Sequence, residues 1–143
     1  MTLGSVDAIE RSVHKTNEWL TDLAAELGHE DREEAWRILR AFLQLLRDRT
    51  TVDEGAQLAA QLPHLLRGVF YEGFDPSRVP EKLRDRDAFL QRLADRAQLA
   101  GATDASLAAE AATRTLRRHI AAGELDEVLG QLPEPIRAVL EGA

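Results

Sequence analysis

Residues 61–76 of the chain read QLPHLLRGVFYEGFDP, and this stretch decides the fold because it ends one half of the sequence and is echoed at the end of the other. The echo reads QLPEPIR and covers residues 131–137. Self-similarity at a fixed spacing indicates duplication of one structural unit. The sequence therefore predicts an all-α protein, a compact bundle of about eight helices built from two pseudo-repeated four-helix units.

The two predicted units form a single helical domain, residues 1–143, and span about residues 5–74 and 85–143. The connector between them, from Gly73 to Arg84, is rich in turn residues and prolines, which indicates an ordered loop rather than a flexible linker. We expect the two units to pack face to face about an approximate twofold axis.

The strongest helical pattern follows Asp31. The spacing from Asp31 to Glu34 is that of a capping box, with Asp in the capping position. The residues after it place apolar side chains on one helical face, namely Ala35, Ile38, Leu39, Phe42, Leu45 and Leu46. We expect this second helix to be central. Thr51 and Glu54 repeat the capping spacing at the start of a shorter third helix.

Apolar periodicity also predicts the first and fourth helices. The first runs from about Ser5, as its cap, to the residue before Gly28, and its apolar side carries Val6, Ile9, Val13, Leu20, Leu23 and Leu27. Pro63 separates the third helix from the fourth. The fourth is expected to turn inward Leu65, Leu66, Val69 and Phe70.

The fifth and sixth helices open the second unit. The fifth is predicted to begin near Asp85 and to end at Gly101. Thr103 or Asp104 is expected to cap the sixth. At a spacing of about 74 residues, the second helix is matched by Leu107, Ala108, Ala111, Ala112, Leu116 and Ile120.

Composition and charge narrow the classes of function. The formal net charge of −7 opposes nonspecific attraction to nucleic acid or anionic lipid. The chain contains no cysteine, which removes disulfides, thiolate nucleophiles and cysteine metal sites. No stretch approaches the length of an apolar membrane span, and the first residues lack the pattern of a secretory signal. We therefore expect a soluble, cytoplasmic protein.

Several stretches occur together in an order that is specific. They are KTNEWL at residues 15–20, QLP at 61–63 and RGVFYEGFDP at 67–76. On these stretches the chain resembles, over essentially its whole length, the bacterial domain-of-unknown-function family numbered 2267. The resemblance implies an all-helical fold and carries over no activity. Phe74 stands where similar proteins have Trp, which keeps an aromatic ring and loses an indole donor.

The most interesting polar group is Arg67, Tyr71 and Glu72. Arg67 and Tyr71 lie four residues apart and share a helical face, with Glu72 beside them. Together with Phe74 and Asp75, they are candidates to bind an anionic or polar ligand. The alternative interpretation is structural: Arg67 forms an ion pair that fixes the connector, and Tyr71 packs its ring. The structural interpretation is favoured because Arg137 repeats Arg67 without a matching tyrosine or acid.

Other signals for chemistry are weak. His14 and Glu18 lie four residues apart but offer only two metal ligands, whereas a zinc site takes about three to four. The sequence predicts no metal site, no cofactor and no catalytic residue, since it lacks the phosphate-loop, dinucleotide and nucleophile-elbow motifs. Its basic clusters are short and interleaved with acids, which indicates ion pairs rather than nucleic-acid contacts: Arg84 and Arg86, and Arg114, Arg117 and Arg118.

The sequence favours a non-enzymatic interaction or ligand-binding module whose function is unknown. The alternative is a small-molecule-binding protein or enzyme with a site between the two halves, near Arg67, Tyr71 and Glu72. The expected partner is an unidentified protein or small molecule, with no nucleic acid and no membrane. The chain is expected to be a monomer or a homodimer.

Overall fold

Eight α-helices account for the architecture of residues 6–142, the part of the chain that the computed structural model describes. A short 3-10 helix, Pro76–Arg78, lies in the connector. Between residues 6 and 142 there is no β-strand. The all-α bundle of about eight helices is therefore confirmed. In chain order the helices are α1 (Asp7–Leu27), α2 (Arg32–Arg49), α3 (Val52–Ala60), α4 (His64–Tyr71), α5 (Arg86–Ala97), α6 (Ala102–His119), α7 (Ala122–Gly130) and α8 (Glu134–Leu140).

Helix α2 lies at the centre of the bundle, where it packs against α1, α4, α5 and α6. Asp31 caps its start, since the carboxylate accepts a hydrogen bond from the Glu34 amide at 3.1 Å. The whole predicted apolar face is buried: Ala35, Ile38, Leu39, Phe42, Leu45 and Leu46. The predicted central position of this helix is confirmed.

Two other predicted caps are present. The Thr51 hydroxyl accepts from the Glu54 amide at 3.2 Å and starts α3. Asp85 accepts from the Ala88 amide at 2.9 Å and starts α5. Gly28, with φ of 80°, ends α1 in the left-handed conformation that glycine adopts without strain. The predicted Ser5 cap of α1 lies outside the described residues.

The junction between α5 and α6 differs from the prediction. Helix α5 ends at Ala97, and Gln98 takes the left-handed conformation with φ of 58°. The Leu99 amide then donates to Ala94 O at 2.8 Å, which closes the helix end. Gly101 precedes α6 instead of ending α5, and α6 begins at Ala102. The prediction that Thr103 or Asp104 caps this helix was wrong, because both residues lie inside it.

Some predicted core positions are exposed. Val6, Ile9 and Val13 are 55%, 62% and 45% exposed. They face outward because the hydroxyl residues of α1 face α4: the buried Ser12 Oγ accepts from the Leu65 amide at 2.7 Å. That bond satisfies one of the amides that a helix start leaves without a partner. Predicted burial was also wrong for Leu65 and Leu107, which are exposed, and Val69 is only partly buried.

Helices of the two halves recur at one spacing. Arg32 and Ala102 begin α2 and α6, and Arg49 and His119 end them, a difference of 70 residues at both ends. The predicted spacing of about 74 for this pair was wrong. At 70, the buried face of α2 falls on a buried face of α6 that consists of Ala105, Ala108, Ala109, Ala112, Thr115 and Leu116. Duplication of a four-helix unit stays a prediction, which this spacing supports.

The connector between α4 and α5 is anchored to the bundle. Gly73, with φ of 72°, follows α4, and Asp75 caps the 3-10 helix. Further along, the Glu81 amide donates to Asp48 O at 2.7 Å, which fixes the connector to the end of α2. Among the helices described here, none combines the length and the apolar character needed to cross a bilayer.

Candidate functional site

Arg67, the first predicted site residue, is directed towards the end of α3. Its Nε donates to Ala59 O at 2.9 Å and its Nη2 to Leu62 O at 3.3 Å. Carbonyls at the end of a helix have no partner within that helix, so the guanidinium satisfies groups that would otherwise need water. Arg67 thus ties α4 to α3, and its hydrogen bonds are made there rather than with Tyr71 or Glu72.

Tyr71, Glu72 and Phe74 lie together against two arginines of α2. Glu72 forms an ion pair with Arg40, and its main-chain oxygen accepts from Arg47 Nη1 at 2.7 Å. The Arg47 guanidinium carbon lies 5.6 Å from the centre of the Phe74 ring, within the range of a cation–π contact. The rings of Tyr71 and Phe74 are 5.3 Å apart. The structure therefore brings three of the five predicted site residues together.

Asp75 is exposed and organises the turn after this group. The Ser77 hydroxyl donates to its carboxylate at 2.6 Å and the Ser77 amide at 3.0 Å. These two hydrogen bonds lower the pKa of Asp75, because they favour the charged form. The geometry is that of a structural turn.

A recess of about 350 Å³ opens between α2 and α5, beside the Arg40–Glu72 ion pair. We name it the α2–α5 cleft. Most of its wall comes from one side of α2, where residues three or four apart share a face. Its lining residues are Trp36, Arg37, Arg40, Ala41, Gln44, Arg96 and Gln98.

Positive charge exceeds negative charge around this cleft. Arg37 Nε donates to Ala97 O at 3.1 Å, a neutral partner. Arg96 approaches Asp48 only to 3.6 Å, and Asp48 also accepts from Arg47 at 2.9 Å. With the Arg40–Glu72 pair, the cleft and its border hold four guanidinium groups and two carboxylates. A guanidinium presents a planar fork of donors that matches carboxylate and phosphate oxygens.

The other lining groups add orientation and an apolar surface. Gln44 is held in place because its Nε2 donates to Val69 O at 3.0 Å. Trp36 is half-buried and offers part of its ring to the cleft. Small-molecule sites commonly combine an aromatic wall with a few fixed polar groups in roughly 300 to 1,000 Å³. The α2–α5 cleft therefore suits a small anionic molecule with a planar part.

Sequence reasoning missed this cleft. Arg37 and Arg40 stand at the edge of the α2 apolar face, and their spacing of three residues was an available signal. Arg96 belongs to α5, about 60 residues away, and only the packing of α5 on α2 brings it near. The predicted group at Arg67 drew attention because its residues are close in sequence.

The remaining predicted groups make local ion pairs. His14 Nε2 lies 2.9 Å from Glu18 Oε1 on the surface of α1. Arg114 and Arg118 both pair with Glu26 of α1, at 2.6 and 2.7 Å. The interpretation of the basic clusters as ion-pair surfaces is supported further by two pairs, Arg86 with Asp87 and Arg117 with Asp126.

Comparison with known proteins bears on the fold and family. No curated protein matches the sequence. A family model described as "Uncharacterized conserved protein (DUF2267)" matches residues 16–139, which is most of the chain. The match includes the stretches QLP and RGVFYEGFDP and confirms the resemblance drawn from them. The chain therefore belongs to the family of uncharacterized conserved proteins designated DUF2267.

Proposed function

We propose that this protein is a ligand-binding module that holds a small anionic molecule in the α2–α5 cleft. The observation that carries the proposal is the convergence of Arg37, Arg40 and Arg96 on one recess in a chain of net charge −7. A concave surface lined by one sign of charge concentrates the local field and attracts ions of opposite sign. In a protein that repels anions at long range, this local excess of guanidinium groups supports a specific rather than a general affinity.

The arginines are positioned before any ligand arrives. Arg37 is anchored to the carbonyl at the end of α5, and Arg40 is held by Glu72. Because these side chains extend from packed helices and already have partners, ordering them on binding costs little conformational entropy. The same partners leave further N–H donors on each guanidinium for a ligand, since arginine carries five.

A binding role is favoured over catalysis by the chemistry of the lining. Its seven residues are three arginines, two glutamines, one tryptophan and one alanine. Arginine stays protonated at neutral pH, and neither glutamine nor tryptophan acts as a general base. The alternative, a small-molecule-binding protein or enzyme using Arg67, Tyr71 and Glu72, keeps partial support because Glu72 borders the cleft through Arg40.

Thermal unfolding with added anions tests the proposal. Phosphate, citrate and AMP serve as probes, and AMP combines a phosphate with a planar ring. Ligand at about 100 times its Kd stabilises a protein by about 2.7 kcal/mol, so we expect AMP to raise Tm by several degrees. The double variant Arg37→Gln/Arg96→Gln is expected to lose this shift.

The control is Arg11→Gln/Arg86→Gln, which changes net charge equally at two exposed sites outside the cleft. This control is expected to respond like the wild type. The proposal fails if none of the three anions raises Tm, or if the cleft variant and the control respond equally.

Self-association is a second candidate role, favoured by one exposed apolar surface. Val6, Ile9 and Val13 of α1 and Leu65 of α4 are each more than 40% exposed. They border a groove of about 300 Å³ between these helices. Twofold pairing of this face with a second copy of the chain would bring two such surfaces together and remove them from water.

Sedimentation velocity at micromolar concentration tests this second role. Wild type is expected to sediment as a dimer, and Ile9→Glu as a monomer. A matched control is Leu107→Glu, which adds the same charge at an equally exposed leucine on α6. A wild type that stays monomeric would rule out an obligate dimer.

A further inference from the structure

Glu54, Glu124 and Glu127 meet where α3 packs against α7, on the opposite half of each helix pair from the connector. One oxygen from each carboxylate lies within 4.8 Å of the other two. Glu54 is 8% exposed, Glu124 is half-buried and Glu127 is exposed. The group therefore has one buried member, one intermediate member and one open to water.

Two of these carboxylates contain buried oxygens without a partner. Oε1 of Glu54 and Oε1 of Glu124 are both inaccessible to solvent, and neither receives a hydrogen bond. None of the ion pairs found between residues 6 and 142 includes Glu54, Glu124 or Glu127. Burying a charged oxygen without a partner is costly, and native proteins rarely do so without a ligand, an ion or a proton.

The packing of the two halves explains why these oxygens lack donors. Glu54 and Glu124 each occupy the third position of a helix, where glutamate commonly accepts from the amide of the capping residue. Here those amides are taken by the opposite half: Thr51 N donates to Gln131 Oε1 at 3.0 Å. Ala121 N donates to Gln61 Oε1 at 3.2 Å. The two glutamates are thereby left to face each other.

We propose that Glu54, Glu124 and Glu127 form a binding site for one hard divalent cation, of the class of Mg²⁺, Ca²⁺ or Mn²⁺, between α3 and α7. Carboxylate oxygens are the ligands that these ions prefer. Two ligands that each lie about 2.0 to 2.6 Å from one ion are separated by at most about 5 Å, which the spacing of this cluster satisfies. Water completes the coordination on the open side, next to Glu127.

The cation would join the two halves of the molecule. Glu54 belongs to the first half, and Glu124 and Glu127 belong to the second. An ion held by both stabilises the folded state by its binding free energy, since the unfolded chain holds no such arrangement. This site differs from the α2–α5 cleft in both its helices and its charge, so either proposal can fail without the other.

Mn²⁺ binding to the chelator-treated full chain tests the site. Near pH 8, electron paramagnetic resonance is expected to show one bound Mn²⁺ per chain, and about 1 mM Mn²⁺ is expected to raise Tm. Ca²⁺ and Mg²⁺ should compete for the same site. In NMR spectra, Mn²⁺ should broaden the amides of residues 51–55 and 121–127 before others.

Variants locate the ion. Glu54→Gln/Glu124→Gln keeps side-chain size and is expected to weaken Mn²⁺ binding by at least about tenfold. Asp53→Asn, an exposed acid on the same helix, is the control and is expected to bind as the wild type does. The proposal is overturned if millimolar Mn²⁺ does not bind the wild type, or if the double variant binds it equally well. Broadening in the wild type supplies a readout that does not depend on the variants folding.

Discussion

Gln61 and Gln131 make reciprocal hydrogen bonds between the two halves of the molecule. Gln131 Oε1 accepts from the Thr51 amide at 3.0 Å, and Gln61 Oε1 accepts from the Ala121 amide at 3.2 Å. Each glutamine follows a helix that ends with nearly identical backbone angles, φ of −85° and −84°. Each bond therefore satisfies the start of the opposite half's short helix, as expected for two units related by an approximate twofold axis.

The two glutamines are predicted to contribute equally to stability. Gln61→Ala and Gln131→Ala each remove one side-chain hydrogen bond to a helix start, which costs about 0.5 to 1.5 kcal/mol. Urea unfolding followed by circular dichroism measures the difference. Gln57→Ala, an exposed glutamine of α3, is the control and is expected to change stability by less than about 0.5 kcal/mol. Clearly unequal losses for the two sites would contradict their equivalence.

Leu62 and Leu132 are predicted to be equally important in the core. Both are 3% exposed and follow the reciprocal glutamines. Leu62→Ala and Leu132→Ala are each expected to lower the free energy of unfolding by about 2 to 5 kcal/mol, through lost burial and a cavity. Leu107→Ala is the control, since Leu107 is 60% exposed and alanine favours a helix. A neutral effect at either buried leucine would contradict the packing described for that half.

Stability is predicted to depend on pH through Glu124. Burial raises the pKa of Glu124 to about 7 in the folded protein, and the neighbouring Glu54 carboxyl and the charge of Glu127 add to this effect. A hydrogen bond between Glu54 and Glu124 can form only when one of them is protonated. Because the folded pKa lies above the ordinary value of 4.5, the folded state holds this proton more tightly than the unfolded state.

The resulting stability is complete below about pH 4.5 and is lost as the pH rises through about 7. In the presence of a chelator, the Tm of the wild type relative to Glu124→Gln is therefore expected to fall between about pH 5 and about pH 8. Calorimetry of both proteins across this range makes the comparison. A Tm difference that does not change with pH would exclude this role for Glu124.

Local signals predicted the helices well where capping and periodicity agree. Asp31 and the six apolar residues after it lie where the pattern placed them, because a capped amphipathic helix depends on neighbours in sequence. Periodicity alone is weaker, since it identifies an apolar side but not whether another helix covers it. Ile9 and Val13 follow the pattern and remain exposed, because hydroxyl-bearing Ser12 and Thr16 make the contact with the bundle.

The candidate sites depend on contacts that spacing does not reveal. Glu54 and Glu124 could be paired from the sequence at a spacing of 70 residues, but their direct approach follows only from the packing of α3 on α7. Arg96 reaches the α2–α5 cleft through the packing of a distant helix. The glycine at position 101 misled the prediction of a helix end, because Gln98 accepts the left-handed conformation at a small cost.

The binding of an anion in the α2–α5 cleft is tested most directly by the two tryptophans. Trp36 lines the cleft, whereas Trp19 is 2% exposed and stacks on His119 at 4.7 Å. In ¹H–¹⁵N NMR spectra recorded during a titration with AMP, the indole N–H signal of Trp36 is expected to shift and saturate while that of Trp19 stays in place. A Trp36 signal that does not move, or equal movement of both signals, would contradict the proposed function.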